Sequence, residues 1–287
     1  MSRSDVIDFE PIARGYYLEG LLIEGDDIWY TDVVMGGVRK VGSDEILLPD
    51  RTMIGGLARN QDGAILVSGL GGIAWMNPQS GRDGNLLEGV NGVNEMRADS
   101  SGGIFFGTTD LAAILCGERP GPSTIEHLAT DGTLTRCREG LTFANGLCVS
   151  PDGTALYFNE SFSATRSFPI LADKTLDVPD TLVELYDCDG MALDAEGNIW
   201  LTGFASDVLR CVTPDGDEVR RLALPGKAST NVRFGGEDMR DLYFTIVDPV
   251  AAQALADGVP IAEQNSLICR ARSPVPGARP DLAGFKL

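Results

Sequence analysis

"LTFANGLCVSPDGTALYFNES", residues 141–161, decides the fold. A short apolar segment (GLCV) runs into a turn (SPDG) and then into a second, aromatic segment (LYFNE), the pattern of a β-hairpin whose turn is set by Pro, Asp and Gly. The pattern recurs along the chain. Its second segments read IWYTD from Ile28, ILVSG from Ile65, IFFGT from Ile104, LYFNE from Leu156, IWLTG from Ile199 and LYFTI from Leu242. Each follows a turn (EGDD, NQDG, DSSGG, SPDG, DAEG, GGEDMRD), and each turn follows another short segment (GLLI, GLAR, MRAD, GLCV, GMAL, VRF). The six copies start 36 to 50 residues apart, the spacing of four-stranded propeller blades rather than of a helix-containing solenoid. The expectation is therefore an all-β chain, a six-bladed β-propeller with residues 1–287 as a single domain, in which the visible hairpin is the inner strand pair of each blade. A Greek-key sandwich also uses Asp-Gly turns, but six copies of the whole strand–turn–strand unit favour the propeller. Helix signals are few: DPVAAQALADGV (248–259) predicts one short helix, and CGERPGPST (116–124) predicts a long exposed loop.

Composition narrows the partners. A formal charge of −19 and a pI near 4.3 argue against a phosphate-binding surface for nucleic acid or membrane, because an acidic face repels nucleic acid and anionic lipid alike. The opening MSRSDVIDFEPIARG has no apolar run of signal-peptide length, and no segment is long enough to span a bilayer, so the expectation is a cytoplasmic protein acting on a small molecule. Monomer and homo-oligomer both remain open. Six cysteines (Cys116, Cys137, Cys148, Cys188, Cys211, Cys269) are scattered without a CxxC or Cys/His pairing, and read as reduced, mostly buried thiols.

Residues at one register in successive propeller blades form a ring around the central channel. The residues just before the first segments are Glu19, Gly55, Glu95, Asn145, Asp189 and Asn231; five carry a side-chain oxygen and none is apolar. Four segments then begin with Gly (20, 56, 146, 190), as crowded backbone near the axis requires. Two readings fit such a ring. Buried carboxylates need compensation, and an oxygen-only ligand set suits calcium best, magnesium or manganese next, with zinc less favoured because it recruits nitrogen or sulfur. The alternative is a solvated ring around a water-filled hole.

These residues resemble a known family, the gluconolactonase, regucalcin (senescence marker protein) and luciferin-regenerating proteins. YLEGLLIEGDDIWYTD is similar to its opening blade and implies Glu19 as the first metal ligand. NGLCVSPDGTALYFNES resembles its most specific motif, with Asn145 as the second ligand, and DGMALDAEGNIWLTG implies that Asp189 is both ligand and catalytic carboxylate. VNEMRADSSGGIFFGTT resembles the family's Asn-Asp-Gly segment and makes Asn94 the active-site asparagine, although Asn94-Glu95-Met96 departs from that pattern. The resemblance runs from about residue 14 to about residue 270. Where sugar-lactonase members carry an arginine and a glutamate that grip sugar hydroxyls, this chain has Gly92 and, near Ala112, TTDLAAIL. That points away from a heavily hydroxylated sugar lactone and toward a more apolar or aromatic lactone or ester.

The chemistry implied is a divalent-metal-dependent lactonase-like hydrolase. A cation held by Glu19, Asn145 and Asp189 would polarise a substrate carbonyl, Asp189 would act as general base or as nucleophile, and Asn94 would donate to the developing oxyanion. The same carboxylate and metal could instead run an isomerase, dehydratase or lyase step, and a non-catalytic binding propeller is the reading from a different class. His127, the only histidine, falls in a probable outer hairpin (STIEHLATDGTLTRC) and is not expected to be catalytic. Trp29, Trp200 and Trp75 read as packing, and Asp32 and Asp248 as solvated or supporting groups near the channel mouth.

Overall fold

The computed structural model describes residues 5–287; the first four residues of the N-terminal stretch lie outside the described residues. The chain is all-β and propeller-like, with two short helices, α1 (Leu111–Leu115) and α2 (Pro249–Ala256). The apolar runs of the repeated segments become strands buried along their whole length, such as Ile199–Gly203 and Asp241–Ile246. They alternate little between apolar and polar because each antiparallel sheet is covered on both faces by its neighbours.

Five sheets are hydrogen-bonded. Four of them begin with an inner strand, Leu18–Glu24, Ala144–Val149, Cys188–Leu193 or Val232–Gly235, paired by a hairpin to the next strand outward, and Asp5–Val6 joins the third of these sheets in parallel to Glu218–Ala223. The fifth has seven strands, because the 16-residue strand Asp83–Ala98 serves two hairpin sets: residues 83–93 pair with Gly69–Met76, and residues 93–98 with Ile104–Thr108. The inner strands touch in a closed cycle, Leu18–Glu24 to Leu57–Arg59 to Asp83–Ala98 to Ala144–Val149 to Cys188–Leu193 to Val232–Gly235 and back. Phe9–Gly15 pairs antiparallel with Ser266–Arg272, so the beginning and end of the chain close one sheet together. An edge strand left open there would present unpaired backbone to solvent.

The core lies between sheets. Trp200 packs edge-on against Phe234 of the next sheet, with ring centroids 5.7 Å apart, and donates its indole N–H to Asp194 at 3.1 Å. Trp29 packs with Leu57 and Ile65 of the following sheet, and Trp75 with Met96 and Phe106. At the end of the channel away from the ring, the C-terminal segment straps the hairpin turns. Gly277 N–H donates to Met239 O, Ala278 N–H to Leu193 O, Ala283 N–H to Arg59 O and Gly284 N–H to Gly102 O. The segment expected as a loop from 116 to 124 is shorter: α1 precedes it, and its last two residues open the strand Ser123–Leu128. The helix expected in 248–259 is α2, whose N-cap, Asp248, accepts from Val250 N–H at 3.0 Å.

Candidate metal centre

Four inner strands slip register at one place. Leu18 and Leu21 face Asp32 and Tyr30; Val93 and Met96 face Thr108 and Phe106; Ala144 and Leu147 face Glu160 and Phe158; Cys188 and Met191 face Gly203 and Leu201. Three steps on one strand answer two on its partner, the signature of a one-residue β-bulge. The first residue inside each bulge is Glu19, Asn94, Asn145 or Asp189, and the second is Gly20, Glu95, Gly146 or Gly190. Counting back from Leu57↔Val67 and Val232↔Phe244 adds Gly55 and Thr230 to the first row and Gly56 and Asn231 to the second. Two positions of the expected ring therefore move by one residue, from Glu95 to Asn94 and from Asn231 to Thr230. Elsewhere the second bulge residue is Gly and starts the segment; at these two places a side-chain-bearing residue stands there, so counting from the first apolar residue lands one step late.

The inner strands are braced by the polar fourth residue of five of the six repeated motifs; the third motif has Gly107 there. Thr31 Oγ1 accepts from Gly20 N–H at 2.8 Å and donates to Ile54 O of the next sheet at 2.7 Å. Ser68 Oγ accepts from Gly56 N–H and donates to Asn94 O, each within 2.9 Å. Asn159 Nδ2 donates to Asp189 O at 2.6 Å, Thr202 Oγ1 donates to Gly190 O at 3.1 Å, and Thr245 Oγ1 accepts from Thr230 and Asn231 N–H at 2.9 Å each. Glycine at the second bulge position lets inner strands touch: a Cβ on Gly146 would lie 2.4 Å from Asp189 O, and one on Gly190 2.5 Å from Thr230 O. The site is thus held by backbone packing and short polar staples rather than by loops.

Glu19, Asn145 and Asp189 are each less than a tenth exposed. Glu19 Oε2 and Asp189 Oδ1 are buried without a hydrogen-bond partner among the described residues. Burial pushes the Glu19 carboxyl up to about 8; the Thr230 hydroxyl opposes this, Glu95 adds to it and Arg233 opposes it. Asp189 is raised well above the carboxylate range by burial and by Glu19, against the lowering effect of the Asn145 carboxamide. Two buried carboxyls raised by desolvation, Asp189 further by Glu19, with an orphaned oxygen on each, are what a cation would reverse. Asn145 Nδ2 donates to Ser161 Oγ at 3.1 Å, and Ser161 donates to Cys188 O at 2.5 Å, which fixes the carboxamide so that Oδ1 is presented. No group of three or more His, Cys, Asp or Glu side chains suited to a metal occurs among the described residues, so a third oxygen has to come from a carboxamide such as Asn145. The donor set, all oxygen and with orphaned carboxylates, fits a hard divalent cation.

Asn94 Nδ2 donates to Ala144 O at 3.0 Å and to Asn145 Oδ1 at 3.2 Å, so its two N–H bonds are engaged with the neighbouring strand. His127 lies away from the ring, buried against Asp99 at 3.1 Å and the Phe105 ring at 4.6 Å. Asp32 is buried and accepts from the N–H of Tyr16 at 2.7 Å and of Tyr17, Val34 and Met35 at 3.3–3.4 Å, which makes it a loop clamp. Gly92 is covered by α1: a Cβ there would meet Leu111 at 2.5 Å, so no longer side chain fits.

Two contributors escaped the sequence reading. Tyr17, two residues before Glu19, has its phenol pKa raised well above its ordinary value by burial and then by the Glu19 and Asp189 carboxylates. It packs with Val33, Met53 and Leu111 on one side and with Val247 and Ala251 on the other. The second is an aromatic group on the loops flanking Asn145 and Asp189. The Phe162 ring lies 6.0 Å from Phe143, 5.5 Å from Tyr186 and 5.4 Å from Phe204, and its backbone is left-handed at φ 67°. A non-glycine residue held there marks a constrained loop. Phe162 and Tyr186 are exposed. The aromatic run FSATRSF gave no warning, because loop neighbours are set by tertiary packing.

Comparison with known proteins places the chain in context. The family model described as SMP-30/Gluconolactonase/LRE-like region matches residues 19–248. Pentonolactonase XacC of Haloferax volcanii is 27% identical over 213 residues, 68% of each chain. A 6-deoxy-6-sulfogluconolactonase of Pseudomonas putida is 31% identical over 121 residues, which span 40% of this chain and 42% of that enzyme. A crystal structure of a calcium-binding protein, regucalcin, from Agrobacterium tumefaciens superimposes with a TM-score of 0.83 at 20% identity, covering 99% of this chain and all of that one.

Proposed function

The chain belongs to the SMP-30/Gluconolactonase/LRE-like family, and from that premise we propose that it is a divalent-metal-dependent hydrolase that opens a lactone or related ester. The observation that carries the reading is the pair of orphaned, buried carboxylate oxygens, Glu19 Oε2 and Asp189 Oδ1, beside an Asn145 carboxamide whose orientation Ser161 sets. We read the closed cycle of inner strands as six blades around a central metal site, with residues 1–287 as one domain and the seven-stranded sheet counted as two blades that share a strand.

Glu19, Asn145 and Asp189 hold the cation, calcium by preference, with magnesium, manganese or zinc as the other candidates. Bound there, such an ion supplies Lewis acidity toward a carbonyl oxygen. Asp189 takes the proton from the attacking water or attacks the carbonyl itself. Asn94, through Asn145 Oδ1, orients the carboxamide oxygen. Tyr17 and Leu111 give the mouth an apolar wall, and the Phe143, Phe162, Tyr186 and Phe204 rings offer a face for an unsaturated or aromatic acyl part. The relatives named for sugar lactones support the bond that is cleaved; the covered Gly92 supports a less hydroxylated substrate.

A panel of aliphatic, aromatic and sugar lactones, assayed before and after chelation and with Glu19→Ala, tests the proposal. Expected is hydrolysis that chelation abolishes and an added divalent ion restores, fastest on apolar or aromatic members. Hydrolysis indifferent to chelation, or its absence on every lactone with the metal bound, overturns it. Single turnover in ¹⁸O-labelled water separates the two roles of Asp189, since only a nucleophile acquires label in its own carboxylate.

A further inference from the structure

Behind the ring, the channel opens into a cavity of about 260 Å³ between the inner strands and the C-terminal strap. Its register row pairs with Trp29, Leu66, Phe105, Tyr157, Trp200 and Tyr243 and consists of Leu22, Ala58, Arg97, Cys148, Ala192 and Arg233. Four members are apolar or small, and two are arginines from different sheets. Both guanidinium groups converge on one backbone oxygen: Met191 O accepts from Arg233 Nη1 at 3.1 Å and from Arg97 Nη2 at 3.5 Å.

The charges there do not balance. Glu95 Oε2 pairs with Arg233 Nη2 at 2.8 Å, and Glu95 Oε1 accepts from Met96 N–H at 3.1 Å. One carboxylate therefore faces two guanidinium groups. Arg233 is 8% exposed, and its Nε is buried with no partner among the described residues. Arg97 makes a long contact to Met191 O and meets the Cys148 thiol and the field of Glu95. Arg279, on the strap, lines the same cavity, with the Asp281 carboxylate near it in the chain. Like charges gathered in an apolar channel are costly without a counter-charge, and this chain has a large overall excess of acid, so a local cationic surplus is not a trivial consequence of composition.

We propose that the back of the channel is a binding site for a small oxyanion, a carboxylate or inorganic phosphate, held by Arg97, Arg233 and Arg279. The planar guanidinium fork matches either group. The cavity, about 260 Å³, has room for a phosphate or a short-chain carboxylate. The arginine row stands three residues farther along the inner strands than the ring, roughly 10 Å at strand rise, close enough for Arg233 to lower the Glu19 carboxyl.

The test is calorimetric titration and thermal melting of the chelated full chain with sodium phosphate and with sodium succinate, against sodium chloride at matched ionic strength. Saturable heat and a raised Tm with phosphate assign a phosphate ligand; the same response with succinate assigns a carboxylate; chloride-like behaviour with both overturns the proposal. Arg97→Met, checked for folding by circular dichroism, is expected to weaken binding roughly tenfold or more through loss of one charged fork. Wild-type affinity in that variant overturns the site as drawn. Should Arg97→Met fail to fold, Arg279→Ser on the exposed strap serves instead: weakened binding supports the site and unchanged binding overturns it.

Discussion

The two ends of the channel carry opposite imbalances. At the ring end, Glu19 and Asp189 each bury an oxygen without a hydrogen-bond partner among the described residues, and Glu19 raises Asp189. Three residues farther along the same strands, Arg97 and Arg233 share the Glu95 carboxylate, which is ion-paired with Arg233. Both ends are buried, yet they are built by different devices. The ring side chains sit in β-bulges, which re-aim a residue toward the axis, whereas the arginines sit in regular register and reach the axis by length. A bulge fixes a short side chain with little freedom, as ligand geometry demands. A long guanidinium stem trades that precision for reach.

Neutralising one member at each end would test this contrast. Asp189→Asn removes the proposed base while keeping its shape, and is expected to lower lactone kcat by about 10²–10⁴-fold with the melting temperature retained or raised, since a buried repulsion is relieved. Steady-state kinetics with the metal-loaded protein checks it; near-normal kcat would remove Asp189 from the chemistry. At the other end, Glu95→Gln leaves Arg233 without its charge partner and should destabilise by about 3–5 kcal/mol, read by urea unfolding. A loss below about 1 kcal/mol would mean that the arginines are already compensated by something else.

The third prediction concerns pH. Glu19 rises from 4.5 in the unfolded chain to about 8 in the fold, and Asp189 rises too, so the native metal-free protein binds more protons than the unfolded chain. The contribution of these two groups to stability is therefore full below about 4.5 and is lost as pH climbs toward 8. The melting temperature of chelated protein should fall across pH 5–8, and added calcium should flatten the slope. A flat profile without metal would show that the two carboxyls do not repel as described. The smallest functional effect belongs to His127→Ala: kcat/KM within about twofold of wild type, with a lower Tm from loss of the Asp99 bond and the Phe105 contact. A large loss of kcat/KM at full metal loading would return His127 to the site.

The hairpin repeat was legible because its turn residues and β-branched or aromatic runs are local signals, and four of its six copies carry the bulge that makes the ring. Glu19, Asn145 and Asp189 could be picked out in the same way, since a polar residue followed by Gly before an apolar run repeats in the chain itself. The residue that ends each run, Thr31, Ser68, Asn159, Thr202 or Thr245, was visible as a pattern, but its work as a staple between strands was not.

Sequence by itself determined the hairpins, their number and the oxygen-rich register, because these follow from spacing and residue type. Tertiary structure alone decided that Asn94 and Thr230 share the ring row while Glu95 and Asn231 fall one row behind, because a bulge adds a residue that linear counting cannot place. It alone brought Tyr17 to Glu19 and Asp189, Leu111 over Gly92, and Arg97 to Arg233 across 136 residues of chain. Tyr17 to Asp189 and Arg97 to Arg233 join different blades, which closure of the inner-strand cycle sets side by side, whereas Leu111 reaches Gly92 from the helix α1 that links two strands of the same sheet.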